Sequence, residues 1–316
     1  MISNSLVEKI RSFDREDSLR DEINREVYKI VMDSVLEDDH LFLILNPMFI
    51  DLDSDGNSEL VSLFGEFQQG CHLGIFTKQE DGWKCIFFEE FHHHYEGVNF
   101  SIVNSGAKEK LIVIKDLELR GSGVYKEVAH FFKLIDGEII HCLRLLTDSR
   151  IHGWGLYLNQ ELKTRYDFST YYGRDELEVV FAFSYFPGAI FEGDAPWDSH
   201  QEIVLIEKNE QVSFTWDNES KKYEPEYKKE HEYYGLSEKQ YLALDEFGND
   251  TLIIEAFRGE LEKILGEKDE RKAIVKRYFE MVEKDKKATV PSGGIEKFGE
   301  TKGGLKFYGI NVKNNK

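Results

Sequence analysis

Cysteine is scarce in this 316-residue chain, which has only Cys71, Cys85 and Cys142. Three thiols exclude a dense disulfide framework, and because two of them fall in apolar, strand-like stretches they are expected to be reduced and buried. No apolar run approaches the length of a membrane span, so no transmembrane helix is expected. The opening MISNSLVEKIRSFDREDSLRDEIN also lacks an apolar signal segment. That favours a cytoplasmic address if the chain begins here, and a periplasmic or extracellular one if a leader has been removed. Positive charge is in deficit, with 40 Lys and Arg against 60 Asp and Glu for a formal net charge of −20. Such a chain is a poor nonspecific ligand for nucleic acid or an anionic membrane. The deficit is local: residues 1–235 carry 24 basic and 45 acidic side chains, residues 236–316 carry 16 and 15. The acidic part would attract cations or a basic protein partner.

What is present is core-forming material, 41% hydrophobic and 13% aromatic. Between Asp17 and about Leu36 the residues Leu19, Ile23, Val27, Ile30, Val31 and Val35 recur at spacings of three and four, which predicts a helix with one stripe to bury. LFLILNPMFI breaks that period at Pro47 and reads as an edge strand or bend. A long series of strand-like segments follows: LGIF, WKCIFF, VNFSIV, EKLIVI, EVAHFFKLI, EIIHCLRLL, LEVVFAFSYF, QEIVLI and QVSFTW. Asp136-Gly137 marks the clearest tight hairpin, and Asp81-Gly82 a second. Near residue 236 the pattern becomes helical, with Ser237 and Gln240 spaced for a capping box. The expectation is a mainly β chain of antiparallel hairpins, propeller-like or irregular, with N-terminal and C-terminal helices. Its organisation reads as a helical segment 1–36, an acidic β-rich core 37–235, a helical region 236–288 and a Gly/Lys-rich tail 289–316. That tail has no Walker spacing, so it is assigned no phosphate site.

The strongest chemical signal is Asp51-Leu52-Asp53-Ser54-Asp55-Gly56-Asn57-Ser58-Glu59. Carboxylates at alternating positions around a glycine turn let hard oxygen ligands converge on one cation, and calcium is the natural occupant. Asp51, Asp53 and Asp55 would offer side-chain oxygens, Asn57 its carbonyl, and Glu59 would close the shell, with Gly56 relieving the turn. Leu60, Val61, Leu63 and Phe64 then carry the chain into a strand. An EF-hand would need a bidentate Glu at loop position twelve; Ser62 stands there.

The segment FIDLDSDGNSELVSLFG, residues 49–65, resembles instead the calcium-binding core of integrin-like FG-GAP or VCBS repeats. That resemblance implies ligand roles for Asp51, Asp53, Asp55 and Glu59, with Asn57 as a backbone ligand. It implies a structural cation that fixes a turn between neighbouring strands of a propeller. Glu59 stands where the family often has Asp, and no regular series of equivalent blades follows it.

Other patterns are weaker. Glu90, His92, His94 and Glu96 would share one strand face, where a transition metal would also need a ligand from elsewhere. A metal-assisted hydrolase built on Glu90, His92 and His94 is therefore an alternative function. The pairs Cys71-His72 and His141-Cys142 place their members on opposite strand faces and read as packing. Trp154, Tyr157, Tyr166, Phe168, Tyr171 and Tyr172 read first as core filling, and FPGAIFEGDAPWDSH as a long contact loop. With no coherent catalytic set, the sequence reads as a non-catalytic binding or accessory module with a calcium-stabilised loop. A further alternative is an immunity or inhibitor-like module that engages a basic protein.

Overall fold

The computed structural model describes residues 1–13, 17–34, 43–66, 70–92, 99–105, 109–121, 123–152, 157–169, 175–188, 203–229, 232, 234–246, 248–266, 271–288, 297–300 and 306–308. Helices α1 (Asn4–Arg11) and α2 (Asp17–Val31) precede a first sheet of β1 (Leu43–Leu45), β2 (Met48–Ile50), β3 (Glu59–Glu66), β4 (Gly70–Gln79) and β5 (Gly82–Phe91). A second sheet holds β6 (Phe100–Ser105), β7 (Glu109–Gly121), β8 (Val124–Ile135), β9 (Glu138–Ile151), β10 (Leu158–Ser169), β11 (Glu176–Pro187), β12 (Ile206–Asp217) and β13 (Lys222–Pro225). Helices α3 (Glu238–Asp245), α4 (Asp250–Ala256), α5 (Arg258–Gly266) and α6 (Arg271–Ala288) follow, then the short pair β14 (Lys297–Glu300) and β15 (Lys306–Tyr308). The chain divides into two units, Met1–Lys263 and Ile264–Lys316. It is mainly β, antiparallel throughout its described ladders, with helices toward both ends. The second sheet is a strict meander in which every strand pairs with its chain neighbour, and among the described residues neither sheet closes into a barrel.

In the first sheet β1 and β2 lie end to end on one edge of β3, separated by Asn46-Pro47. Pro47 has no N–H to give the ladder, so the edge is interrupted there. Strand β3 is buried on both faces. Val61 and Leu63 join Leu73, Ile75 and Phe91 against Phe100, Ile112, Ile114, Phe132 and Leu134 of the second sheet. Leu60 and Phe64, with Phe76 and Trp83, face Leu6, Val7, Ile10, Ile23, Val27 and Tyr28 of the two helices. The two-residue period of a strand sends alternate side chains to these two cores.

Polar contacts fix the docking of α2. Asn24, fully buried, donates from Nδ2 to the Ile44 carbonyl at 3.2 Å and accepts from the Gly65 N–H at 2.8 Å. Gly65 has φ +111°, and a Cβ there would lie 2.4 Å from the Tyr28 hydroxyl, so this approach requires glycine. Tyr28 Oη in turn sits 2.7 Å from His72 Nδ1, whose ring stacks on Phe88.

The hairpins differ in detail from their sequence signals. Asp136 (φ +53°) and Gly137 (φ +79°) form the expected two-residue turn between Ile135 and Glu138. At the second hairpin the paired ends are Gln79 and Gly82, so the turn is Glu80-Asp81, one residue earlier than expected. Gly82 serves a different purpose, because a Cβ there would lie 2.7 Å from the Ile2 carbonyl, which accepts from the Trp83 N–H at 2.9 Å. Of QEIVLI only Ile206 enters a described strand, as the first residue of the one that contains QVSFTW. Strand β12 runs unbroken through the polar stretch between them, where Glu207 and Asn209 are exposed while Ile206, Glu210, Val212 and Phe214 are buried.

Helices α3–α5 cover part of the second sheet. Phe257 is fully buried against Phe183 and Tyr185, with ring centroids at 5.2 and 5.4 Å. Arg144 forks onto Glu118 with two contacts of 2.6 Å and reaches Asp245 of α3 at 2.9 Å. The expected Ser237–Gln240 capping box opens α3. Lys133 of β8 is fully buried, 2.6 Å from Asp175 and with Nζ 3.9 Å from the Trp216 ring centroid. In the second unit, α6 buries Val275, Tyr278 and Val282 along one stripe, and β14 pairs with β15.

At the start of α4, Asp250 accepts from the Tyr157 N–H at 2.6 Å and the Leu158 N–H at 3.3 Å. Burial pushes its carboxyl up from 3.8 to about 6, against the opposing pull of those two N–H groups. A folded value above the unfolded one means that the folded state binds the proton more tightly, so this contribution is full below about pH 4 and is lost as pH rises through about 6. Relative to Asp250→Asn, which does not titrate, the wild-type stability is expected to fall by at most about 3 kcal/mol between pH 4 and pH 7. Parallel urea denaturation of the two proteins across that range checks this; a constant difference would refute it.

Candidate functional site

The acidic loop begins where β2 ends and closes where β3 begins, so residues 51–58 bridge two paired strands whose register brings Ile50 opposite Glu59. Its path is set by local bonds. Asp51 Oδ2 accepts from the Gly56 N–H at 3.0 Å, Asp53 Oδ1 from the Asp55 N–H at 3.2 Å, and Asp55 Oδ1 from the Asn57 N–H at 2.7 Å. The sharpest bends fall at Ser54 (φ +62°) and Gly56 (φ +92°). Short acidic side chains that accept from the backbone two residues on stabilise such turns.

Three of the five expected ligands converge. Asp51, Asp53 and Glu59 each offer a carboxylate oxygen, and these oxygens all lie within 4.8 Å of one another. Asp55 and Asn57 turn toward each other instead, with Asn57 Nδ2 donating to Asp55 Oδ2 at 3.0 Å. These bonds hold the Asp55 carboxyl below its ordinary range, the Asn57 backbone N–H contributing most. Glu59 is buried, and its Oε2 accepts from the Leu52 N–H at 2.9 Å. Its carboxyl is pushed up, first by burial and further by the neighbouring charges of Asp53 and Asp55. Asp51 Oδ1 is buried and has no hydrogen-bond partner among the described residues. A buried acceptor without a donor, beside a carboxylate held in the charged form only at a cost, is a donor set that a hard cation satisfies.

The loop is also tied into the core. Leu52, 1% exposed, belongs to the cluster between the two sheets. Its carbonyl accepts from the Lys110 N–H at 3.2 Å, and the Lys110 ammonium donates to the Asp51 carbonyl. The turn therefore joins β2 and β3 to the first residues of β7. Lys110 was not legible as part of this site, because 59 positions separate it from Asp51.

The histidine face is only partly described. His94 and Glu96 lie outside the described residues, as do Trp154, Tyr171, Tyr172 and residues 189–200 of the long loop. His92 Nε2 is 3.9 Å from Glu90 Oε1, and His92 Nδ1 is 3.9 Å from Asp116 Oδ1. The His92 backbone is held firmly, its N–H donating to Asp116 Oδ1 at 2.7 Å and its carbonyl accepting from the Leu117 N–H at 2.9 Å. Tyr166 and Phe168 pack on the buried Phe131 ring, as core filling predicts. None of the three cysteines is in a disulfide, and burial pushes the Cys71 thiol up to about 12, the behaviour of a packed rather than a reactive group. A groove of 550 Å³ crosses the second sheet, with Asp148 opposite Lys163 and Arg150 opposite Glu161 on adjacent strands. Opposite charges facing across neighbouring strands leave it little net charge.

No protein family, curated protein or solved structure matches this chain. The acidic cluster therefore stands on its own geometry. Among the described residues no helix is long and apolar enough to cross a membrane.

Proposed function

We propose that this chain is a non-catalytic binding or accessory module whose acidic turn is ordered by calcium. The observation that carries the reading is the convergence of Asp51, Asp53 and Glu59 within 4.8 Å, beside a buried Asp51 oxygen with no hydrogen-bond partner among the described residues. The all-oxygen donor set and the open turn favour calcium over softer metals, and the resemblance to FG-GAP and VCBS loops points the same way. The cation would act structurally. It would relieve repulsion among three carboxylates and so hold Leu52 in the core and Lys110 against the loop.

Calorimetric titration with calcium and thermal unfolding with and without it test the reading. At a free calcium concentration about a hundredfold above Kd, stabilisation of about 2.7 kcal/mol is expected. The shift should vanish in Asp53→Asn/Glu59→Gln, which keeps the shape of the loop and removes two charges. No heat of binding and no thermal shift up to about 10 mM calcium, beyond the weakest extracellular modules, would overturn the proposal.

A further inference from the structure

The second sheet carries a pair of imidazoles that the sequence spacing does not reveal. His130 on β8 pairs with Arg144, and His141 on β9 pairs with Phe132; the register shifts beside Cys142, the extra residue of a bulge. The two histidines thus become diagonal neighbours on one face, separated by 11 residues in the chain. Their ring nitrogens, His130 Nδ1 and His141 Nε2, lie 3.1 Å apart.

The second nitrogen of His130 has its own surroundings. His130 Nε2 is buried, has no hydrogen-bond partner among the described residues, and lies 3.7 Å from Asp116 Oδ2. The two rings share a hydrogen bond whose donor depends on the tautomer, and a dication bound between them would displace that shared proton while Asp116 stays beside the outer His130 nitrogen. Outer partners of this kind orient metal-bound imidazoles. Two nitrogens 3.1 Å apart that each sit about 2.0–2.1 Å from one ion subtend roughly 100° at it, a normal angle between cis ligands. Arg144 stands opposite His130 in the ladder. The charge of Arg144 is itself matched by Glu118 and Asp245. Phe91 and Phe132 pack around the pair and limit rotation of the rings. His141 is exposed, so the remaining coordination positions open to water.

We infer that His130 and His141 form a two-nitrogen site for a borderline transition-metal dication, Cu²⁺, Ni²⁺ or Zn²⁺, with Asp116 as the positioning carboxylate. This site is separate from the acidic loop in ligand type and in place, and it does not depend on the calcium reading.

The test uses the full chain carrying His92→Gln, His93→Gln and His94→Gln, with calcium in excess, so that neither the histidine run nor the acidic loop takes up the probe. Cu²⁺ is added alone and followed by calorimetry and electron paramagnetic resonance. One ion per chain with hyperfine structure from two nitrogens is expected. His141→Gln, at an exposed position, should weaken binding by about tenfold or more and leave one nitrogen in the spectrum. His130→Gln should do the same. Absence of a bound ion in the parent protein, or a spectrum unchanged by both substitutions, would overturn the site. The calcium-dependent thermal shift, measured on the same proteins, reports separately on the loop and on folding.

Discussion

Asp175→Ala is expected to destabilise the protein by about 3–5 kcal/mol, because it removes a carboxylate that pairs at 2.6 Å with the buried Lys133 ammonium. The Lys133 side chain is 1% exposed and Asp175 is 18% exposed, with 2.6 Å between Nζ and Oδ2. The Trp216 and Tyr223 rings, at 3.9 and 5.1 Å from Nζ, offset only part of the loss, since a cation over an aromatic face contributes about 2 kcal/mol when desolvated. The partner change identifies the cause. Lys133→Met keeps most of the stem volume and removes the charge, so Lys133→Met/Asp175→Ala should be more stable than Asp175→Ala alone. A urea series on the three variants measures this, with Trp216 emission as a local probe. A loss under about 1 kcal/mol in Asp175→Ala, the range of an exposed pair, would show that water reaches Lys133.

The second large effect is expected at Phe257. It is fully buried and its ring meets Phe183 and Tyr185 of β11, so it anchors the turn between α4 and α5 to the sheet. Truncation to alanine removes the ring from water-free packing and leaves a cavity that the strand beneath cannot fill, at a cost of about 3–5 kcal/mol. Phe257→Leu should lose considerably less, because most of the apolar volume stays. Equilibrium unfolding followed by circular dichroism distinguishes the two. If Phe257→Ala unfolds at the wild-type midpoint, the helices are not coupled to the sheet through this residue.

Much of this architecture was legible because local chemistry and tertiary environment agree. The alternation in LEVVFAFSYF became β11 with its odd-numbered residues inward, and Asp136-Gly137 became the turn it spells. Where they disagree, the reading slipped. LNQELKTRYDFS carries no clear strand signal, since Leu158, Asn159, Gln160 and Leu162 are all buried and two polar side chains disguise the period. The strand IEKNEQVSFTWD was expected to begin only at Gln211, although Glu207 and Asn209 in its polar start are outward-facing residues of β12. The Gly/Lys-rich tail gave no sign of the β14–β15 pair, because two such brief segments gain stability only by pairing with each other. At the acidic loop, the alternating carboxylates announced themselves, but the choice among them did not. Asp55 and Asn57 satisfy one another, while Glu59 is drawn inward by the Leu52 N–H. Asp116, His130 and Lys110 carried no signal, because their partners come from other strands.

The strict neighbour-to-neighbour order of the second sheet bears on how the chain reaches this structure. Each new strand has only to find the one just made, so loop-closure entropy is met in small instalments and the sheet can grow hairpin by hairpin. The joins between the two sheets are different in kind. The Asp51–Lys110 contact spans 59 residues, and the His92 latch onto Asp116 spans 24. Contacts of such sequence separation raise the contact order of an otherwise local topology. The acidic loop stands at the longer of these closures, where an ordered turn shortens the conformational search.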